Sequence, residues 1–363
     1  MKNTFGNHLS LTLFGESHGD YIGAVLDGIT PGVKIDHEEI KGALQKRRPS
    51  GKIATSRVEN DEYQIISGEH NGFTTGTPLT IIIPNQNKKS NDYDDIENIP
   101  RPAHADYAAE MKYHGYQDKR GGGHFSGRIT VALVAIGGII RPMLEDKGIK
   151  IGTHIAKFEN ISDRDFCNLG EDINVLKNRS FPTLSAEAEE KMLTLGEEVR
   201  SLGDSVGGIL ETSVIGMPKG VGEPWFDTVE GMISHAMFSI PAIKGIEFGK
   251  GFELAGMRGS QANDAFEIID GDVRTKTNNN GGINGGITNG MPITFRTVVK
   301  PTPSIAIEQD SVDLTKKENA KLKIGGRHDA AIIQRVAPVV DAITAFVVAD
   351  ILTGRFGTDY FLS

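Results

Sequence analysis

Two apolar runs leave little freedom about what surrounds them. Residues 131–140 (VALVAIGGII) and 342–351 (AITAFVVADI) are apolar nearly all round a helix, interrupted only by Arg141 after the first and Asp350 within the second. A helix without a polar face belongs in a core or against another subunit. Both runs are too short to span a bilayer, so buried helices are expected. Each follows a segment that combines glycines, Arg and His: RGGGHFSGRIT at 120–130 and GGRHDAAIIQR at 325–335. This echo suggests two halves related by an internal pseudo-two-fold. It also predicts two helix N-termini, with free N–H groups and a positive dipole end, beside basic side chains.

The rest of the 363-residue chain reads as alternating strands and helices, and one domain over 1–363 is expected. Residues 9–30 suggest a strand pair around the loop GESHGD. Asp36 and Glu39 resemble a capping box opening a helix over 37–48 that delivers Arg47 and Arg48 before Pro49 stops it. YQIIS (63–67) and LTIIIP (79–84) suggest a hairpin, followed by a long polar loop. Helices are expected over 104–113 and 126–146, a strand over 149–158, an irregular connection, a helix over 185–202 and a strand over 206–216. A helix over 227–238, strands near 246–254, 265–270 and 293–299, and a final helix over 330–353 that can bend at Pro338 complete the expected order.

Composition narrows function by exclusion. A formal charge of −9 argues against a general nucleic-acid or membrane-surface binder, both of which need broad basic faces. An anionic ligand must therefore meet a local basic cluster. The single cysteine, Cys167, fits a reducing cytoplasm, and the N-terminus lacks the apolar stretch of a signal peptide.

Such clusters exist. FGESHG (14–19), RRPSGK (47–52), RPAHADYAAEMKYHGYQDKRGGGHFSGR (101–128) and GGRHD (325–329) each mix Gly with Arg, His or an acid. Gly lets backbone approach a ligand, Arg offers a bidentate fork to phosphate or carboxylate, and His exchanges a proton near pH 7. Together they describe a site for a multiply anionic substrate undergoing proton transfer. Arg47 and Arg48 could equally serve the dipole at a helix end. His104-x-Asp106 and His328-Asp329 mix metal-ligand types, but no HExxH, Cys pair or His cluster joins them, and no GxSxG elbow suggests a nucleophile. A metal-dependent sugar-phosphate hydrolase is the competing reading on local evidence.

In this order and at these separations the segments resemble the chorismate synthase family. The match includes FGESHG, KRRP (46–49), RPAHADY, DKRGGG (118–123), SIPAIKGIEFGKGF (239–252), NNGGINGGITNGMPI (279–293), KPTPSI (300–305) and GGRHDAAIIQRVAPVVDAI (325–343). The resemblance implies an α+β fold of the β-α-β sandwich type, a homotetramer, and reduced FMN and 5-enolpyruvylshikimate 3-phosphate as ligands. It implies loss of phosphate and a ring hydrogen across a 1,4 relationship, with NADPH as an alternative source of reduced flavin and externally reduced FMN expected. His18 would be the general acid beside the leaving phosphate, His104 would stabilise or protonate the reduced flavin, and Asp329 would assist deprotonation at the flavin. Substrate contacts are implied for Arg47, Arg48, Lys52, Arg101, Arg128 and Arg327. Flavin contacts are implied for His124, Phe125, Ser126, Pro241, Ala242, Gly285, Lys300, Pro301, Thr302, Pro303, Ser304 and Arg327, with Arg47 also matching a position assigned to substrate or NADPH. Two departures stand out: HFSGRI (124–129) replaces the commoner RSSARE, and Lys52 replaces an Arg, keeping charge but losing the fork.

Overall fold

Strands β1 (Thr4–Phe5), β2 (Ser10–Gly15), β3 (Tyr21–Asp27), β4 (Gln64–Ser67) and β5 (Leu79–Pro84) form an antiparallel sheet in the order β1-β2-β3-β5-β4. This computed structural model describes residues 2–49, 51, 53, 60–85, 98–325 and 329–362. A second antiparallel sheet holds β6 (Lys150–Phe158), β7 (Ile161–Ser162), β8 (Gly208–Ile215), β9 (Ile243–Phe248) and β10 (Ile293–Val299), ordered β9-β10-β8-β6-β7. In β5 the residues Leu79, Ile81 and Ile83 are fully buried while their neighbours are half-buried, the period-2 pattern of a strand with one face on a core.

The helices are α1 (His37–Arg47), α2 (Asp106–Tyr113), α3 (Thr130–Glu145), α4 (Leu169–Lys177), α5 (Ala186–Ser201), α6 (Val229–Met237) and α7 (Ile333–Phe356). The two apolar runs become α3 and α7, which pack on each other between the sheets; α3 reaches β3 and β5, and α7 reaches β6 and β8. Outside this pair, α1 packs on α3 and α6 on α7. Both apolar helices are long enough to cross a membrane, but their most apolar windows are 78% and 89% buried inside the fold. They form the middle of the sandwich, which also removes them as subunit-interface surface.

Two glycines set how closely this layer packs. A Cβ on Gly137 would lie 2.4 Å from the Ala342 Cβ of α7, and one on Gly138 would lie 2.7 Å from the Ile40 Cα of α1. Larger residues here would force the helices apart. The N-terminal strands are tied to the same layer by Asp350 in α7, which is fully buried and accepts the N–H groups of Asn7, His8 and Leu9 at 2.7–3.2 Å.

The expected two-fold relation holds at the level of topology. Leaving aside the short outer strands, the first half runs β2, β3, α1, β4, β5, α3 and the second runs β6, β8, α6, β9, β10, α7. In each sheet the four strands are ordered first, second, fourth, third. The halves differ in their connections: residues 16–20 join β2 to β3 where α4 and α5 intervene between β6 and β8, and residues 68–78 join β4 to β5 where residues 249–292, with a short helix and two hairpins, join β9 to β10.

Several boundaries moved. The connection expected to be irregular contains α4, whose Ile173 and Leu176 face inward. Asp36 caps α1 by accepting from the N–H groups of Glu38 and Glu39, but the Glu39 carboxylate pairs with Lys177 instead of completing a capping box. The helix expected from 126 begins at Thr130 after tight 3-10 turns, and Pro338 lies inside a continuous α7. Fully buried His154 on β6 is structural: its two nitrogens lie 3.1 Å from Asp163 and 3.0 Å from Glu211.

Candidate active site

One end of the sandwich collects the ends of its elements. There β2 and β5 finish, α1 finishes, α3 and α7 begin, and β10 finishes beside the start of β9. Two helix N-termini of the central layer therefore face the same end, where their dipoles favour an anion.

The three glycines 121–123 organise this end. All have positive φ, at 59°, 85° and 53°, a region that costs other residues strain. Their second role is proximity: a Cβ on Gly121 would lie 2.2 Å from the His18 Cε1, and one on Gly122 would lie 3.2 Å from the His104 Cε1. Adjacent glycines thus seat the two histidines. The third, Gly123, accepts the Ser17 N–H at 3.1 Å and leaves no room for a Cβ against the Asp118 carbonyl.

His18 is 3% exposed, in the loop after β2. That loop is strapped by Asn85, just past β5, whose amide donates to the Glu16 and Gly19 carbonyls at 3.0 and 2.9 Å. His124 adds a second strap, with its Nδ1 2.8 Å from the Gly15 carbonyl. Phe125 packs edge-on against Tyr113 with centroids 6.0 Å apart. His124 and Phe125 are therefore used inside the chain, as side chains that brace the loop and α2. Ser126 caps the turn into α3, its hydroxyl accepting from the Arg128 N–H.

His104 is held by charge. Its Nδ1 lies 2.5 Å from Asp106 Oδ1, and Arg101 grips the same carboxylate with two donors at 2.8 Å each. The Arg101 guanidinium also lies 3.1 Å from this Nδ1, but it cannot accept a proton, so Asp106 serves both as acceptor. Burial works against ionisation of Asp106, but hydrogen bonds from Arg101 and His104 overcome it and hold the carboxyl well below its usual range. With Nδ1 committed to Asp106, Nε2 is the nitrogen left to face a ligand.

Next to this pair folds the 300–304 run. Lys300 donates to the Ala103 carbonyl at 2.6 Å, and burial, with nearby Lys244, lowers its pKa. The Ser304 hydroxyl lies 3.5 Å from Arg101, and the Thr302 carbonyl accepts from Ser205. Pro301 lies close to Gly207, and the Pro303 carbonyl faces the Gln309 amide. The Lys300 N–H donates to the carbonyl of Ala242, which follows Pro241 and has φ 75°. Gly285 is not brought here. It sits in the turn of the hairpin 283–288, whose Gly286 packs against Thr228 before α6, and this hairpin precedes the start of β10 while Lys300 follows its end.

A third group surrounds Asp61, which the sequence reading passed over. Arg128 bonds this carboxylate directly, while Arg47 and Arg48 lie 3.6 and 3.7 Å from it. Arg47 is 2% exposed and donates to the Thr130 hydroxyl and the Gly127 carbonyl, both at 3.1 Å, tying α1 to the start of α3. These bonds hold Arg47 against the first turn of α3. Arg335 in the first turn of α7 donates to the Arg47 carbonyl at 3.1 Å and to Asp329 at 2.7 Å, so Asp329 joins the same network. Lys52 and Arg327 lie outside the described residues.

Asp61, Asn85 and Arg335 carried no signal of spacing, since each reaches its partners only through tertiary contact. Asp106 was visible beside His104 but was weighed only as a metal-ligand type and given no role of its own; it is the acceptor that fixes the imidazole. Among the described residues no His, Cys, Asp and Glu group has the form of a metal site.

Comparison with known proteins gives one answer. The family model described as Chorismate synthase matches residues 9–353. Chorismate synthases of Thermococcus gammatolerans and Pyrococcus abyssi are 45% and 46% identical over 350 residues, covering 96% of this chain and 97% of each relative. That of Dehalococcoides mccartyi is 42% identical over 355 residues, 97% of this chain and 96% of the relative. A crystal structure of chorismate synthase superposes with a TM-score of 0.76 at 29% identity, covering 97% of this chain and 94% of the other. The β-α-β sandwich and the clustered motifs are thus those of known enzymes, and the chain belongs to the chorismate synthase family, lyases of the shikimate pathway.

Proposed function

We propose that this end of the sandwich eliminates phosphate from 5-enolpyruvylshikimate 3-phosphate to give chorismate, with reduced FMN as cofactor. The observation that carries the reading is the seating of His18 and His104 on adjacent glycines, at the end of the sandwich that also gathers the Arg101–Asp106 pair and the Asp61 cluster of Arg128 and Asp329. The C–O bond breaks with its electron pair leaving on phosphate, and the ring C–H pair becomes the new double bond, so there is no net redox change.

The residues present fit the cofactor. Lys300 and Ser304 sit beside Arg101 and His104, and the segment 124–126 begins the turn into α3, so both could hold a flavin and its phosphate. When bound, reduced FMN supplies an electron-rich ring that assists phosphate departure and can take up the ring hydrogen. On the protein side, His18 gives a proton to the departing phosphate, which guanidinium groups neutralise. His104 keeps Nδ1–H on Asp106 and presents Nε2, and Asp329, oriented by Arg335, holds a carboxylate at the start of α7.

Anaerobic assay with chemically reduced FMN tests the reading: chorismate and phosphate should appear in equal amounts, and absence of chorismate would overturn it. Flavin reduced elsewhere is the expected source, and turnover on NADPH with oxidised FMN would reverse that expectation. A cytoplasmic location accompanies this function. We also expect a homotetramer. Trp225, Phe226, Phe252, Phe266 and Ile268 are 71–94% exposed and offer the apolar surface for assembly that α3 and α7 do not. Light scattering should give four chain masses.

A further inference from the structure

We infer that Asp61 is a positioning residue, which sets Arg48 and Arg128 as a paired receptor for a phosphate dianion beside the His18 loop. The Asp61 side chain has no exposed surface and φ is 49°, so the backbone is bent to bring this carboxylate inside. Its two oxygens serve three guanidinium groups. Only Arg128 is in hydrogen-bond contact; Arg47 and Arg48, at 3.6 and 3.7 Å, are ion pairs beyond that range.

The three arginines differ in what they can still do. Arg47, 2% exposed, directs its Nε and one Nη to the α3 turn and its other Nη towards Asp61. Arg128 is fixed in plane by Asp61 and by Asn85, which accepts from its Nε at 3.2 Å. Arg48 has 36% of its side chain exposed, and its buried Nε makes no hydrogen bond among the described residues. With Nε turned inward to Asp61, the exposed part of Arg48 is what an oxyanion would meet. Asn85 also straps the Glu16 and Gly19 carbonyls, so the receptor and the His18 loop share one side chain as their spacer. Asp61 attracts the guanidinium groups to one place without filling the outer one.

The inference rests on the elimination reading for its substrate class, but its test needs neither flavin nor turnover. Inorganic phosphate is titrated calorimetrically into the whole enzyme. Asp61→Asn, which keeps shape and removes charge, should weaken phosphate binding at least about tenfold, the scale of one charge-assisted hydrogen bond. Asp61→Glu keeps the charge and provides a second variant whose fold does not depend on tolerating the amide. It displaces the carboxylate by one methylene and should also weaken phosphate binding and raise KM more than it lowers kcat. In an Arg48→Met background either Asp61 variant should add little, because both act on one receptor. Phosphate affinity unchanged in the Asp61 variants, or losses that simply add to Arg48→Met, would make Asp61 a packing residue and overturn the inference.

Discussion

His18 and His104 rest on neighbouring glycines, yet the protein holds them by different means. Around His18 the work is done by backbone: a 3% exposed imidazole against Gly121, in a loop strapped through Asn85, His124 and Gly123. Around His104 it is done by charge, through the Arg101–Asp106 pair. The first arrangement fixes position by leaving no space. The second fixes which nitrogen carries the proton as well as where the ring points. Their difference fits a division in which one imidazole delivers a proton at a defined place and the other keeps a defined hydrogen-bonding face.

The largest effects should come from removing either ring. His18→Ala and His104→Ala should each lower kcat by about 10²-fold or more, the usual scale for a positioned acid or base. Near-normal turnover in either would break the comparison at its root. Gly121→Ala should approach the His18→Ala loss, because its methyl would meet the imidazole at 2.2 Å and its backbone would be strained; Gly122→Ala, with 3.2 Å available, should lose less. Equal losses would mean that strain alone, and not the seat beneath each ring, matters.

Asp106→Asn should cost about tenfold in kcat and leave His18-dependent steps intact, which a shifted pH–rate profile would show. The smallest expected effect is on stability. The Asp106 carboxyl is held below its usual range in the fold, so its contribution is present above about pH 4 and fades as pH falls through the lower folded value. Acid unfolding of Asp106→Asn should accordingly be shallower. His154 runs the other way. Burial lowers its pKa but hydrogen bonds to Asp163 and Glu211 raise it overall, so its contribution is full below about pH 6.5 and is lost as pH rises through the folded value. His154→Gln should flatten that alkaline limb in thermal melts.

Local signals served the sequence reading well where local chemistry decides structure. The Asp36 cap, the stop at Pro49, the strand at LTIIIP and the apolar runs of α3 and α7 all stand in the fold. Helix α4 was missed because its apolar residues are few and spaced within a polar stretch, so tertiary packing of Ile173 and Leu176 decides it. In the site, His18, His104 and the glycine run were legible as residue types. What they touch was not: Asp61 and Asn85 gain meaning only when the ends of α1, β5 and α3 converge, and nothing in their spacing foretells that. Gly285 shows the reverse case, a residue that motif matching groups with Lys300 and that the fold puts at the other end of β10.

The Asp350 carboxylate has a consequence for how the chain is made. Synthesis proceeds from the N-terminus, yet residues 7–9 find their acceptor on a side chain more than 340 positions later. The bend between β1 and β2 therefore stays unclamped until α7 has emerged. The second sheet packs on α7 directly and the first reaches it through α3 and the Asp350 clamp, so completion of the fold is gated by synthesis of α7.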